Sequence, residues 1–140
     1  MIDIINRQRA HPIPGSWREF AERALPAIDT KHTNATIVFV SDAAIRKLNQ
    51  QFRGKNYVTD VLSFPTRAEK FESENQSHLG EVVISLERAA AQAKENGLSF
   101  QNEVEQLILH GLLHLCGYDH ETDSGEMNRL ELKLRRKLGI

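Results

Sequence analysis

Three histidines fall within the eleven residues His110-Gly111-Leu112-Leu113-His114-Leu115-Cys116-Gly117-Tyr118-Asp119-His120, and their spacing restricts what the chain around them can be. Apolar residues at 104, 107, 108, 112 and 115 predict a helix running into this stretch. On a helix, positions four apart share a face about one turn from each other. His110 and His114 could therefore hold one metal ion between them. Gly117 predicts the helix stop, because a residue without Cβ readily takes the left-handed conformation that ends helices. The chain can then turn back and bring His120 to the same ion. Three neutral imidazoles with one position left open make a tetrahedral site of the kind that suits catalytic zinc. A His pair at this spacing is a weak signal alone, since two histidines often share a face for no chemical reason. The third His behind a Gly gives the pattern its weight. Cys116 is not expected to be a ligand, because two residues past His114 it points about 200° around the helix.

The rest of the composition narrows the class. A chain of 140 residues suits one domain with a real core. Its 40% apolar and 26% charged content is ordinary for a soluble globular protein. No apolar run reaches membrane-spanning length, and Met1-Ile2-Asp3-Ile4-Ile5 lacks the basic flank of a signal peptide. A single cysteine excludes an internal disulfide, and these features together point to the cytoplasm. A net charge of −1 gives no global attraction to nucleic acid, so RNA binding would need a local basic surface.

Taken in order, Ile2–Ile5 reads as a short strand and residues 11–15 as a breaker-rich loop. Ser16 with Glu19 forms a capping-box pattern ahead of a helix carrying Trp17, Phe20 and Ala24 as core, which Pro26 should disturb or end. Thr36–Val40 reads as a buried strand. Ser41 should cap a helix with Ile45, Leu48 and Phe52 on one face, and Arg53-Gly54-Lys55-Asn56 a turn. Val61–Phe64 is a strand closed by Pro65. The polar stretch 66–78 predicts a mobile excursion, with His78 an exposed loop residue and not a ligand. Leu79–Ser85 is a further strand whose Glu81 is either a site carboxylate or solvent-facing. An Ala-rich helix should run from 85 to 96 and stop at Gly97, and the histidine helix should follow Ser99. The last helix, about 124 to 138, places Met127, Leu130, Leu134 and Leu138 on a core stripe. Its basic cluster Lys133, Arg135, Arg136 and Lys137 is partly explained as cations at a helix C-terminus. No repeat or domain boundary is visible. Four strands and about five helices indicate one α/β or α+β domain, a small sheet with helices packed on it.

The spacing H-x-x-x-H-x-x-G-x-x-H matches the long zinc motif of metzincin proteases, but Gly111 stands where those enzymes carry the general-base Glu. The fuller string His110-Gly111-Leu112-Leu113-His114-Leu115-Cys116-Gly117-Tyr118-Asp119-His120 instead closely resembles the YbeY family of bacterial metal-dependent endoribonucleases. Three further blocks resemble that family in the same order: Leu48-Asn49-Gln50-Gln51-Phe52-Arg53-Gly54-Lys55, then Thr59-Asp60-Val61-Leu62-Ser63-Phe64-Pro65, then Leu79-Gly80-Glu81-Val82-Val83-Ile84-Ser85. The resemblance implies a zincin-like α+β domain over 1–140 with a mixed four-stranded sheet. It implies one zinc ion on His110, His114 and His120, and Arg53 as the cation of the substrate cleft. It also implies single-strand-specific cleavage of ribosomal RNA, in maturation of the 16S 3′ end and ribosome quality control, with the small subunit and its assembly factors as partners and no DNA. Two departures stand out. Glu81 replaces the usual Asp after the Gly of the third block, and Asn56-Tyr57-Val58 replaces the usual Asp-Lys-Pro.

A three-His ion with an open position would bring the pKa of a bound water toward neutrality or polarise a phosphate oxygen, which makes hydrolysis the natural reaction. His114 and Arg53 are the residues expected to carry it, Arg53 by stabilising charge in the transition state. Each ring's second nitrogen needs a partner, for which Asp119 is a candidate, although a turn role fits it equally well. Gly111 argues against a protease. A hydrolase of some other substrate stays open, as does a ribosome-assembly binding module whose metal is structural, although structural zinc sites are normally closed by a fourth protein ligand.

Overall fold

The computed structural model describes residues 1–28, 34–66, 78–119 and 121–140. The elements run β1 (Ile2–Asn6), α1 (Gly15–Ile28), β2 (Asn34–Val40), α2 (Asp42–Arg53), β3 (Val61–Pro65), β4 (His78–Ser85), α3 (Leu86–Asn96), α4 (Phe100–Leu115) and α5 (Glu126–Leu138). The fold is α+β, with one mixed sheet of order β1-β2-β4-β3. β1 and β2 are parallel, as are β2 and β4, while β3 runs antiparallel to β4 at the edge.

The sheet is covered unequally. Ala35, Ile37 and Phe39 of β2 and Val82 and Ile84 of β4 face the large core, which α1, α3, α4 and α5 complete. Val38, Val40, Leu62 and Val83 turn to the other face, where α2 supplies Ile45 and Leu48. Burial on both faces explains why β2 reads as a continuous apolar run and not as an alternating one. Trp17 sits in the large core against Phe39 and Phe100, at centroid distances of 5.3 and 5.7 Å.

Helix ends follow the expected chemistry at most places. The Ser41, Ser85 and Ser99 hydroxyls accept the amides of Ala44, Arg88 and Asn102. α1 is the exception. It begins at Gly15, so Ser16 lies inside its first turn, and the Ser16 hydroxyl accepts from the Gln101 side chain instead. Pro26 is held within the last turn of α1, where it removes one N–H yet leaves the helix to run two residues further. α5 starts at Glu126, two residues later than its sequence suggests, after the Asp123 carboxylate has accepted the amides of Gly125 and Met127.

The expected exposed loop position of His78 is corrected. It opens β4, half-buried, with Nε2 3.2 Å from Thr36 Oγ1 and Nδ1 3.4 Å from Thr66 Oγ1. The expected excursion falls mostly on residues 67–77, which lie outside the described residues. Among the described residues no helix is long and apolar enough to cross a membrane.

Candidate active-site cleft

α4 carries the site because it is the most enclosed helix of the fold. Val104, Ile108, Leu109, Leu112 and Leu113 have no exposure at all, so apolar contact surrounds most of its circumference. Its two histidines occupy the one strip left half-open. Gly111 makes the close approach to the sheet possible, since a Cβ there would lie 2.4 Å from Val82 Cγ1. The Gly111 carbonyl also accepts the Ser63 hydroxyl of β3, at 3.3 Å. The absence of a carboxylate at 111 therefore has a packing cause: this position faces β4, not the cleft.

α4 ends as its sequence predicts. Gly117 has φ +98°, the Gly117 amide donates to the His114 carbonyl, and the Tyr118 amide donates to the Leu113 carbonyl. These are the paired bonds of a Schellman stop. They fix where the chain leaves the helix, directly beside His114.

His110 and His114 lie on one face, with ring centroids 4.8 Å apart and Nε2 atoms 3.2 Å apart. Two nitrogens bound to one tetrahedral zinc ion at the usual bond length are separated by about 3.3 Å. The pair therefore has the spacing of two ligands of one ion. His120 lies outside the described residues.

The two rings border a cleft of about 480 Å³ whose other walls include Arg53, Thr59, Asp60, Ser63, Tyr118 and Asp119. Arg53 reaches it from the last residue of α2. Gly54, at φ +68°, ends that helix with its amide on the Gln50 carbonyl, and Asn49 holds the following loop through the Tyr57 carbonyl. Arg53, His110 and His114, far apart in sequence, thus meet at one cleft.

The remaining candidates are placed as follows. Asp119 acts in the turn, its Oδ1 accepting the Glu121 amide and its carbonyl those of Thr122 and Asp123. Glu81 is exposed on the sheet face that α2 covers, against Val38, Val83 and Phe64, and not in the cleft. Cys116 packs at the edge of the large core.

One residue was missed altogether. Glu131 of α5 is buried, and its Oε1 is 2.8 Å from His110 Nδ1 while its Oε2 accepts from Arg135 at 2.6 Å. Burial pushes the Glu131 carboxyl up, but the hydrogen bonds and charges of His110 and Arg135 outweigh it and hold the carboxyl below its ordinary range. The sequence did contain a signal for it. Position 131 is four past Met127 and three before Leu134, inside the core stripe, where a carboxylate needs a partner. Arg135, assigned to the basic cluster, is that partner on its own helix.

The family model described as Endoribonuclease YbeY matches residues 3–139. The chain belongs to that family. Among its relatives, the Endoribonuclease YbeY of Geobacter metallireducens is 39% identical over 99% of this chain and 94% of its own length. That of Geobacter sulfurreducens is 38% identical over 96% of this chain and 91% of its own. A solution structure of a Thermotoga maritima protein superposes with a TM-score of 0.67 at 29% identity, covering 99% of this chain and 89% of that one. In this YbeY-family chain the cleft forms where the first, second and fourth resembling blocks converge, while Glu81 of the third lies on the opposite face of the sheet.

Proposed function

We propose that this chain is a single-domain endoribonuclease of the cytoplasm that cuts single-stranded RNA with one zinc ion held by His110, His114 and His120, and that it serves ribosomal RNA maturation near the 16S 3′ end. Family membership supports the general part, an endoribonuclease acting in ribosomal RNA processing. The observation that carries the finer part is the approach of the two Nε2 atoms to 3.2 Å on the floor of a cleft that Arg53 also borders.

The donor set suits the ion. Imidazole nitrogens are good ligands for zinc, and the His110 ring already has its second nitrogen against a carboxylate. Bound there, zinc would supply Lewis acidity toward a phosphate oxygen and lower the pKa of water. The residues of the chain do the rest. Arg53 would bind the scissile phosphate through its guanidinium and stabilise the negative charge that develops on it. Ser63 is committed to the Gly111 carbonyl and so fixes β3 against α4, which sets the width of the cleft.

A cleft of about 480 Å³ has room for a nucleotide or two of a single strand. The test is cleavage of a single-stranded 16S fragment by zinc-loaded protein beside Arg53→Glu and His114→Ala. Loss of zinc and activity together in His114→Ala, with Arg53→Glu zinc-bound and inactive, is the expected result. Absence of cleavage by every zinc-loaded form would overturn the substrate assignment.

A further inference from the structure

We infer that Glu131 is the positioning residue of the histidine site: through Arg135 and His110 it fixes which nitrogen of His110 carries the proton, and so keeps Nε2 bare toward His114. The inference rests on the proposed metal reading for its purpose, but its geometry stands apart from that reading.

A carboxylate only accepts hydrogen bonds. With Glu131 Oε1 at 2.8 Å from His110 Nδ1, that nitrogen must be the one bearing hydrogen. A neutral ring protonated at Nδ1 presents a lone pair at Nε2, the atom that faces His114 Nε2 at 3.2 Å. The orientation is thereby set together with the tautomer. A ring turned over would offer the carboxylate only Cδ2–H, and the other tautomer would point a lone pair at it.

Arg135 makes the arrangement single-valued. Its guanidinium occupies Oε2 at 2.6 Å, one turn along α5, so Oε1 is the oxygen left for His110. The carboxyl side chain retains only 9% of its exposure, whereas the His110 and Arg135 side chains retain 29% and 32%. A surface pair of this spacing would contribute little. Here the carboxylate is withdrawn from water, and the loss of either partner would leave it with an unmet demand. Behind the ring, Glu131 and Arg135 join Asp60, Gln92, Asn96 and Glu103 around a second polar cavity. With Asp60 and Val61, His110 thus lines both spaces, its Nε2 beside His114 in the cleft and its Nδ1 beside Glu131 at the rear. α5 contributes no ligand among the described residues, yet it sets the protonation pattern of one.

The test uses the full chain and has two readouts besides turnover. The first is the ¹⁵N NMR tautomer of His110 in zinc-free protein at neutral pH. The second is the zinc dissociation constant from competition with a chelator. Wild type should show Nδ1–H. Glu131→Leu, similar in volume and without an acceptor, should shift His110 toward Nε2–H and weaken zinc binding about 10- to 100-fold. Glu131→Gln keeps an acceptor oxygen and should retain the Nδ1–H tautomer with a smaller loss. Arg135→Gln, which leaves His110 and Glu131 intact, should give a mixed tautomer population and guards against a Glu131→Leu protein that fails to fold. A merely structural Glu131 would lower the melting temperature and leave tautomer and zinc affinity as in wild type; that result in folded Glu131→Leu or Arg135→Gln overturns the inference. A wild type that shows Nδ1–H but binds no zinc would overturn the proposed metal site and leave the Glu131 role standing.

Discussion

Gly111 and Val82 touch so closely that a β-carbon on the first would lie 2.4 Å from Cγ1 of the second and 3.0 Å from its Cγ2. In an ordinary helix, replacing Gly by Ala stabilises by about 0.5–1 kcal/mol. Here the sign should reverse, because Val82 is a stiff β-branched side chain with no exposure in a central strand. Gly111→Ala is expected to cost about 1–3 kcal/mol of overpacking, read from urea unfolding. The double variant Gly111→Ala/Val82→Ala should recover part of that loss. An unchanged midpoint in Gly111→Ala would mean that α4 stands further from the sheet than described.

Arg53 is exposed at the end of α2, so reversing its charge should leave folding alone. Arg53→Glu is expected to unfold at the wild-type temperature and to bind zinc normally. Its cleavage rate should fall by roughly 100- to 1000-fold, the usual scale for removing one electrostatic stabiliser. Arg53→Lys should retain intermediate activity, since an ammonium supplies charge without the planar fork. Equal activity in Arg53→Glu and wild type would remove Arg53 from the mechanism.

His114 tests the metal directly. His114→Ala should drop bound zinc from about one per chain to background, because two imidazoles rarely hold the ion that three would. Elemental analysis after dialysis measures this without any RNA. A His114→Ala protein that still holds stoichiometric zinc would show that the ion sits elsewhere.

Two buried carboxylates should respond to pH in opposite ways. Desolvation raises the Glu105 carboxyl, only partly offset by the positive charge of Arg23. Its contribution to stability is therefore complete below the ordinary carboxylate range and is lost as pH rises through the raised value. Glu131, held below its ordinary range despite burial, contributes above that range and loses its contribution as pH falls through the lowered value. Glu105→Gln should accordingly melt higher than wild type at neutral pH, with the gap closing on acidification. Glu131→Gln should melt lower at neutral pH, again converging in acid. Parallel melting curves for wild type and Glu105→Gln between pH 4 and 8 would contradict the first assignment.

Much of this fold was legible because its signals are local. Ser41, Ser85 and Ser99 announce three helices, and Gly54, Gly97 and Gly117 end the same three, each with positive φ. The pairing of His110 with His114 needs only the pitch of a helix. What could not be read was long-range. Nothing near position 111 says that Val82 will press against it. The 20 residues between His110 and Glu131 do not announce their contact: the core stripe says that a carboxylate at 131 needs a partner, but not that His110 is one. Glu81 had two readings until the alternation of β4 placed it on the face away from the histidines. The Arg53 role came from resemblance alone, and its position at the cleft from the way α2 ends.

Setting two reactive side chains on the most enclosed helix also limits how such a chain can evolve. Nearly every position from Val104 to Leu115 is shared between site and core, so a substitution there that retunes chemistry also opens a cavity or a clash. Drift in substrate preference is left to the exposed rim, such as the turn after Arg53, and not to Leu62 or Ser63 of β3, which are themselves tied to the core and to α4. The replacement of the family's usual Asp-Lys-Pro by Asn56-Tyr57-Val58 falls in that permissive zone, with Tyr57 half in solvent.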